Sequence, residues 1–181
     1  MTKGKMKTKI ILIVGPSGVG KDTLLRYAKE EFGKKFNFVK RHITRKPDLN
    51  EDNYYIDDYA FEILRHNGYF SSFWNAHENQ YGIAKRFINP GINIISISRS
   101  KIKDFEKQYD NVYTINITIP KELLKQRLLF RGRESKAQIQ ERLSRNYEKI
   151  KAKKLIDFDN SSSLEESKIR FKKLLKEIKN A

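Results

Sequence analysis

Gly15-Pro16-Ser17-Gly18-Val19-Gly20-Lys21-Asp22-Thr23 follows the unbroken apolar run Ile10-Ile11-Leu12-Ile13-Val14 and precedes a stretch, Asp22–Phe32, that reads as a helix. An apolar, β-branched run without alternation is the mark of a strand buried on both faces. Strand, glycine-rich turn and helix in this order carry G-x-x-x-x-G-K, the spacing of a phosphate-binding loop, the Walker A pattern. The glycines let the main chain fold closely around a polyphosphate, and successive N–H groups then point at it. The helix N-terminus adds positive potential, and Lys21 reaches the β- and γ-phosphates. The pattern asks for Ser or Thr directly after the lysine as a Mg²⁺ ligand. Here Asp22 takes that place and Thr23 follows, so both are candidate ligands, Asp22 directly or through water and Thr23 by a small shift. Gly15 to Thr23 is thus the expected site of an ATP-type donor.

Working outward, strand-like and helix-like segments alternate, which predicts an α/β fold with a mostly parallel sheet and helices on both faces. Phe36–Thr44, Asn93–Ile97 and Asn111–Ile119 read as further strands. Asp57–Asn67 reads as a helix stopped at Gly68, and Pro120 suits the first turn of one running to about Arg131. Ser135 with Gln138, and Ser163 with Glu166, form capping-box pairs that open two more helices. In the last of these Phe171, Leu174, Leu175 and Ile178 make an ordinary core stripe. Residues 45–87 are polar, aromatic and irregular, and read as a lobe inserted into a core of 6–44 and 88–181. The whole chain reads as a single domain.

The chain has 181 residues, with 38 Lys+Arg against 22 Asp+Glu, a formal net charge of +16 and no cysteine. Zero cysteines exclude a disulfide framework, a Cys-ligated zinc, an Fe–S cluster and thiol catalysis. No apolar stretch approaches the ~20 residues of a membrane helix, and the basic N-terminus lacks a cleavage pattern, so a cytoplasmic protein is expected. Charge of this sign fits an anionic small molecule, a nucleic acid or a solvated lysine surface. Against the nucleic acid stands the lack of a continuous basic stripe with interleaved aromatics.

Other motifs follow the loop in order. They are Arg41-His42-Ile43-Thr44-Arg45, an acidic Tyr-rich stretch from Glu51, Trp74-Asn75-Ala76-His77 with Tyr81-Gly82-Ile83, Ser98-Arg99, and Arg131-Gly132-Arg133-Glu134-Ser135. Arg142 and Arg145 lie on the helix that follows. This order resembles the guanylate kinases, P-loop NTPases with a parallel sheet core, an inserted acceptor-binding lobe and an Arg-rich lid, here about 131–145. Asp159-Asn160-Ser161 is similar to the family's loop beside the adenine, which implies an ATP-binding role for Asn160.

Departures from guanylate kinases point elsewhere. Their F-L-E, whose Glu bonds the guanine edge, is matched here by Phe70-Ser71-Ser72, and a serine lacks the two acceptors of a carboxylate. With Gly20-Lys21-Asp22 the same motifs resemble the ribose 1,5-bisphosphate phosphokinases of phosphonate catabolism. That resemblance implies ATP with Mg²⁺ as donor and a phosphorylated sugar as acceptor, giving 5-phosphoribosyl 1-diphosphate. It implies Lys21 and the lid arginines Arg131, Arg133 and Arg142 as catalytic groups. It also implies Arg41, Thr44, Arg45, Trp74, His77, Tyr81, Gly82, Ser98, Arg99 and Arg145 around the acceptor.

A base-free bisphosphate needs anion clamps rather than a purine slot. Arg41 and Arg45, taken as i and i+4 of one strand, are expected on one pleat face. Guanidinium forks bind phosphate bidentately. His77 reads either as a structural hydrogen bonder or as a substrate contact, and Trp74 as lobe floor or acceptor contact. A guanylate kinase with a rearranged base pocket is the alternative activity. A non-catalytic or RNA-binding relative is a third reading, against which the intact Gly20-Lys21 and the arginine set weigh.

Overall fold

The computed structural model describes residues 8–46, 52–76, 78–132, 135–144 and 149–181, with the side chains at 131, 141 and 142 outside the description. Its centre is a five-stranded parallel sheet in the order β2-β7-β1-β8-β9, made of β1 (Lys9–Val14), β2 (Phe36–Val39), β7 (Ile92–Ser96), β8 (Asn111–Thr118) and β9 (Leu155–Asp159). Strand β1 lies in the middle, and Ile10 to Val14 are fully buried. The absence of polar positions in that run is explained by cover on both faces.

Side chains alternate across the sheet, so β1 supplies two cores. Ile11 and Ile13 face α1 (Lys21–Phe32) and α6 (Leu164–Asn180), meeting Leu24, Ala28, Phe32, Phe171, Leu175 and Ile178. Ile10, Leu12 and Val14 face the other way, onto Ile102 and Phe105 of α3 (Ile102–Gln108) and onto Trp74 and Ile83. These last two belong to a second, four-stranded sheet, β4-β3-β6-β5, made of β3 (His42–Ile43), β4 (Tyr54–Tyr55), β5 (Phe70–Ala76) and β6 (Asn79–Ala84). The lobe therefore contributes directly to the core beneath the central strand β1.

This corrects one expectation. Phe36–Thr44 is not one strand: the chain leaves the main sheet after Val39, and His42–Ile43 pairs with β4 and β6 in the lobe sheet. Apolar residues stand on both sides of the break because both strands are covered, β2 in part and β3 at both residues, so the pattern carried no trace of the change of sheet. Arg41 and Arg45 accordingly flank a two-residue strand and do not share a pleat face. The lobe is also more regular than expected, with α2 (Asp58–His66) capped by Asp57, whose side chain accepts from Ala60 N at 2.9 Å.

Helix α4 (Lys121–Arg131) ends at Gly132 in a left-handed conformation, and α5 (Lys136–Ser144) begins after Ser135. The capping box is reciprocal: Gln138 N donates to Ser135 Oγ at 3.2 Å, and Ser135 N donates to Gln138 Oε1 at 2.8 Å. Leu124, Leu128 and Ile139 form a small core between the two helices.

Candidate active site

In a parallel sheet every strand ends on the same edge, so loops that are far apart in sequence converge there. Gly15 follows β1, Lys40 and Arg41 follow β2, Ser98 and Arg99 follow β7, and Asn160 follows β9. Ile97 N donates to Ile13 O at 3.1 Å, which brings the β7 loop beside the glycine-rich one.

The glycine-rich loop is braced from behind. Val19 is fully buried. Its carbonyl accepts from Asn160 Nδ2 at 2.8 Å and from Arg127 Nη1 at 3.3 Å, while Arg127 Nη2 donates to Asn160 O at 3.0 Å. Gly20 has φ 96°, and a Cβ there would lie 2.5 Å from Asn160 Nδ2, so only glycine fits between loop and brace. Lys21 Nζ donates to Gly15 O at 2.7 Å and Pro16 O at 2.8 Å, which stretches the ammonium across the loop mouth. Ser17 and Gly18 complete the half-buried rim. Gly20 caps α1 without a side-chain hydrogen bond, and the N–H groups of the first turn, such as those of Asp22 and Thr23, are the kind by which a helix start binds an anion.

Asn160 thus reaches the loop through its side chain, 6 % exposed, rather than standing open at the edge. Arg127 joins this brace from helix α4. Its bridging role depends on Val19 and Asn160 meeting in space, which spacing along the chain does not report. Burial lowers its pKa from the ordinary arginine value, yet both of its contacts are to carbonyl oxygens that favour the charged form.

On the acceptor side, Arg41 lies at the break between the two sheets. Its Nε donates to Asn53 Oδ1 at 3.1 Å, its guanidinium stands 5.9 Å from the Tyr81 ring centroid, and Nη2 is 4.0 Å from Asp22 Oδ1. Tyr81 stacks on Trp74 at 5.4 Å with an interplanar angle of 5°. Trp74 is 8 % exposed and packs into the core under β1, so it supports Tyr81 as lobe floor. Gly82 is explained by packing, because a Cβ there would fall 2.5 Å from the Phe70 ring. Thr44 Oγ1 accepts from Gln80 N at 3.0 Å and ties β3 to β6, next to half-buried Arg45. Ser98 Oγ lies 3.0 Å from Ser100 Oγ and opens the turn that carries Arg99.

Ser72, which the resemblance sets against the guanine-binding Glu of guanylate kinases, is 2 % exposed, and its Oγ donates to Asp104 Oδ2 of α3 at 2.7 Å. It is spent on holding β5 to α3. His77, Arg133 and Arg145 lie outside the described residues, as do Glu51 and the side chains of Arg131 and Arg142.

Two titrations shape the lobe. His42 packs among the rings of Tyr54, Tyr69, Phe70 and Phe87 at 5.5–5.7 Å. Burial, then the charge of Arg86, lowers its pKa below the usual 6.5. Asp52 is pushed up by burial but pulled down further by the ammonium groups of Lys29 and Lys40, so its carboxyl sits below the usual range.

Among the described residues no three His, Cys, Asp or Glu side chains gather as a metal site. Mg²⁺ bound to a nucleotide takes only one or two protein oxygens beside phosphate and water. The Thr23 hydroxyl and the Asp22 carboxylate, both in the first turn of α1, are hard oxygen donors of that kind. Among the described residues no helix is long and apolar enough to cross a membrane.

Comparison with known proteins agrees with this fold. The sequence profile of the guanylate kinase family matches residues 7–178. A Bradyrhizobium diazoefficiens protein, ribose 1,5-bisphosphate phosphokinase PhnN, is 35% identical over 162 residues, covering 86% of this chain and 81% of its own. A bifunctional ribose 1,5-bisphosphokinase-thymidine phosphorylase of Roseobacter denitrificans is 39% identical over 147 residues, and this chain spans only 22% of its length. Guanylate kinase from Anaplasma phagocytophilum superposes with a TM-score of 0.64 at 20% identity, over 98% of this chain and 89% of that one, a likeness of fold.

Proposed function

The chain belongs to the guanylate kinase family, and within it to the ribose 1,5-bisphosphate phosphokinases, and from that premise we propose that it is an ATP-dependent kinase whose acceptor is the 1-phosphate of ribose 1,5-bisphosphate. An oxygen of that phosphate attacks the γ-phosphorus of ATP as the bond to the β-phosphate oxygen breaks. ADP leaves with the electron pair, and 5-phosphoribosyl 1-diphosphate is formed. The attacking oxygen is already anionic at neutral pH, so no general base is needed.

What remains is alignment and neutralisation of charge. Lys21 and the first-turn N–H groups hold the β- and γ-phosphates. Mg²⁺ would be held from the protein side by one oxygen of the first turn of α1, the Thr23 hydroxyl or the Asp22 carboxylate, and would supply further charge neutralisation. Arg131, Arg133 and Arg142 are the lid groups proposed to meet the transferring phosphoryl. Arg41, Arg45, Arg99, Arg145, Thr44, Ser98 and His77 are proposed to surround the acceptor, with Tyr81 on Trp74 as its floor. Both substrates are small polyanions used where ATP is plentiful, so a cytoplasmic enzyme without a nucleic-acid partner is proposed.

The observation that carries the choice of acceptor is Ser72. A guanine edge needs a carboxylate there, and the serine is buried on Asp104. Coupled ADP release with ribose 1,5-bisphosphate and none with GMP is expected. Turnover of GMP at a comparable rate would replace this reading with that of a guanylate kinase.

A further inference from the structure

Asp22 is the residue at which the loop departs from its usual chemistry, and it is also the point where helix α1 meets the lobe. A carboxylate in the first turn of a helix is favoured by the helix dipole. Beside a bound triphosphate the same carboxylate is repelled, unless a cation compensates it. Arg41 is that cation: its Nη2 lies 4.0 Å from Asp22 Oδ1, and its side chain is 17% exposed against 55% for Asp22. Asn53 and Tyr81 hold Arg41 from the lobe side.

The contact has a companion. Lys29, two turns further along α1, pairs with Asp52 at 2.8 Å, one residue before Asn53. Asp22 and Lys29 therefore place opposite charges on one face of α1 (i, i+7), and the lobe answers each with its own opposite charge.

We propose that Asp22 is a positioning residue, whose carboxylate holds the Arg41 guanidinium at the seam between donor loop and acceptor lobe so that Arg41 meets the acceptor's phosphate in register with the donor. The inference rests on the kinase reading above, and it leaves Thr23 as the side chain for Mg²⁺. A guanidinium carries five N–H donors, so it can keep Asn53 and Asp22 while it turns others to a phosphate.

The test is Asp22→Asn, nearly isosteric but without the negative charge that pairs with Arg41. Calorimetric titration with ribose 1,5-bisphosphate alone, without nucleotide or metal, should show affinity reduced on the order of tenfold, about 1.4 kcal/mol. The acceptor KM should rise in step while kcat falls less. The Mg²⁺ concentration that half-saturates ADP binding should stay unchanged. In ¹⁵N NMR of the free protein the Arg41 Nε–H should exchange faster with solvent in the variant. An unchanged Arg41 signal overturns the proposal, as does a shifted Mg²⁺ dependence with intact acceptor binding. If the unaltered protein ignores ribose 1,5-bisphosphate yet its Arg41 signal responds to Asp22→Asn, the coupling stands and the acceptor assignment falls.

Discussion

Asn160 and Val19, 141 positions apart, are joined by a buried hydrogen bond of 2.8 Å from Asn160 Nδ2 to Val19 O. The bond fixes the back of the phosphate loop to the end of β9. Removal by Asn160→Ala leaves a buried carbonyl with only the longer Arg127 contact, at 3.3 Å. Stability should fall by about 1–3 kcal/mol in denaturant unfolding. The KM for ATP should rise several-fold more than that for the acceptor, since the loop and not the lobe loses its brace.

Gly82→Ala separates packing from ligand contact. The added methyl meets the Phe70 ring at 2.5–2.9 Å. A loss of about 1–3 kcal/mol is expected from overpacking, read as a lower Tm. At temperatures where the variant is folded, both KM values should stay near those of the unaltered protein. A selective rise in acceptor KM would show that Gly82 touches the substrate.

Lys21→Ala removes the ammonium that lies across the loop mouth, on Gly15 O and Pro16 O. The residue is half-buried at a helix start, so the fold should persist by circular dichroism. Turnover should drop by roughly 10²–10³, the loss seen when one preorganised charge or donor is taken from a transition state. Undiminished turnover would remove the loop from the chemistry.

The lobe should be acid-sensitive through His42. Its Nδ1 is buried without a hydrogen-bond partner among the described residues, and its pKa is lowered by burial and by Arg86. The unfolded chain, titrating near the usual 6.5, takes up the proton first as pH falls. The contribution to stability is therefore complete above that value and is lost as pH drops toward the folded pKa. Unfolding free energy should fall by at most about 1.4 kcal/mol per pH unit in that window. His42→Phe should flatten the slope.

Much of this was legible from the chain alone, for definite reasons. The run Ile10 to Val14 has no polar position because β1 is covered on both faces, and Gly15 to Lys21 has one spacing that suits a phosphate. The helix starts at Ser135 and Ser163 were legible because capping is chemistry within four residues. The jump from β2 to β3 was not, since apolar positions report that a strand is covered and not which sheet it belongs to. Nor were Asp22 with Arg41, Ser72 with Asp104, or Arg127 with Val19, all of them contacts between segments that only the parallel edge and the lobe bring together. Gly82 stands in the motif Tyr81-Gly82-Ile83, and the packing reason for a glycine there, a phenylalanine ring twelve positions earlier, is not written in the motif.

The central claim is the identity of the acceptor. The protein, ATP and Mg²⁺ should be incubated separately with ribose 1,5-bisphosphate, GMP, dGMP and AMP, and the products followed by ³¹P NMR. The expected result is a new diphosphate signal with ribose 1,5-bisphosphate alone, matched by an equal amount of ADP. A nucleoside diphosphate formed from GMP or dGMP, with ribose 1,5-bisphosphate left unchanged, would contradict it.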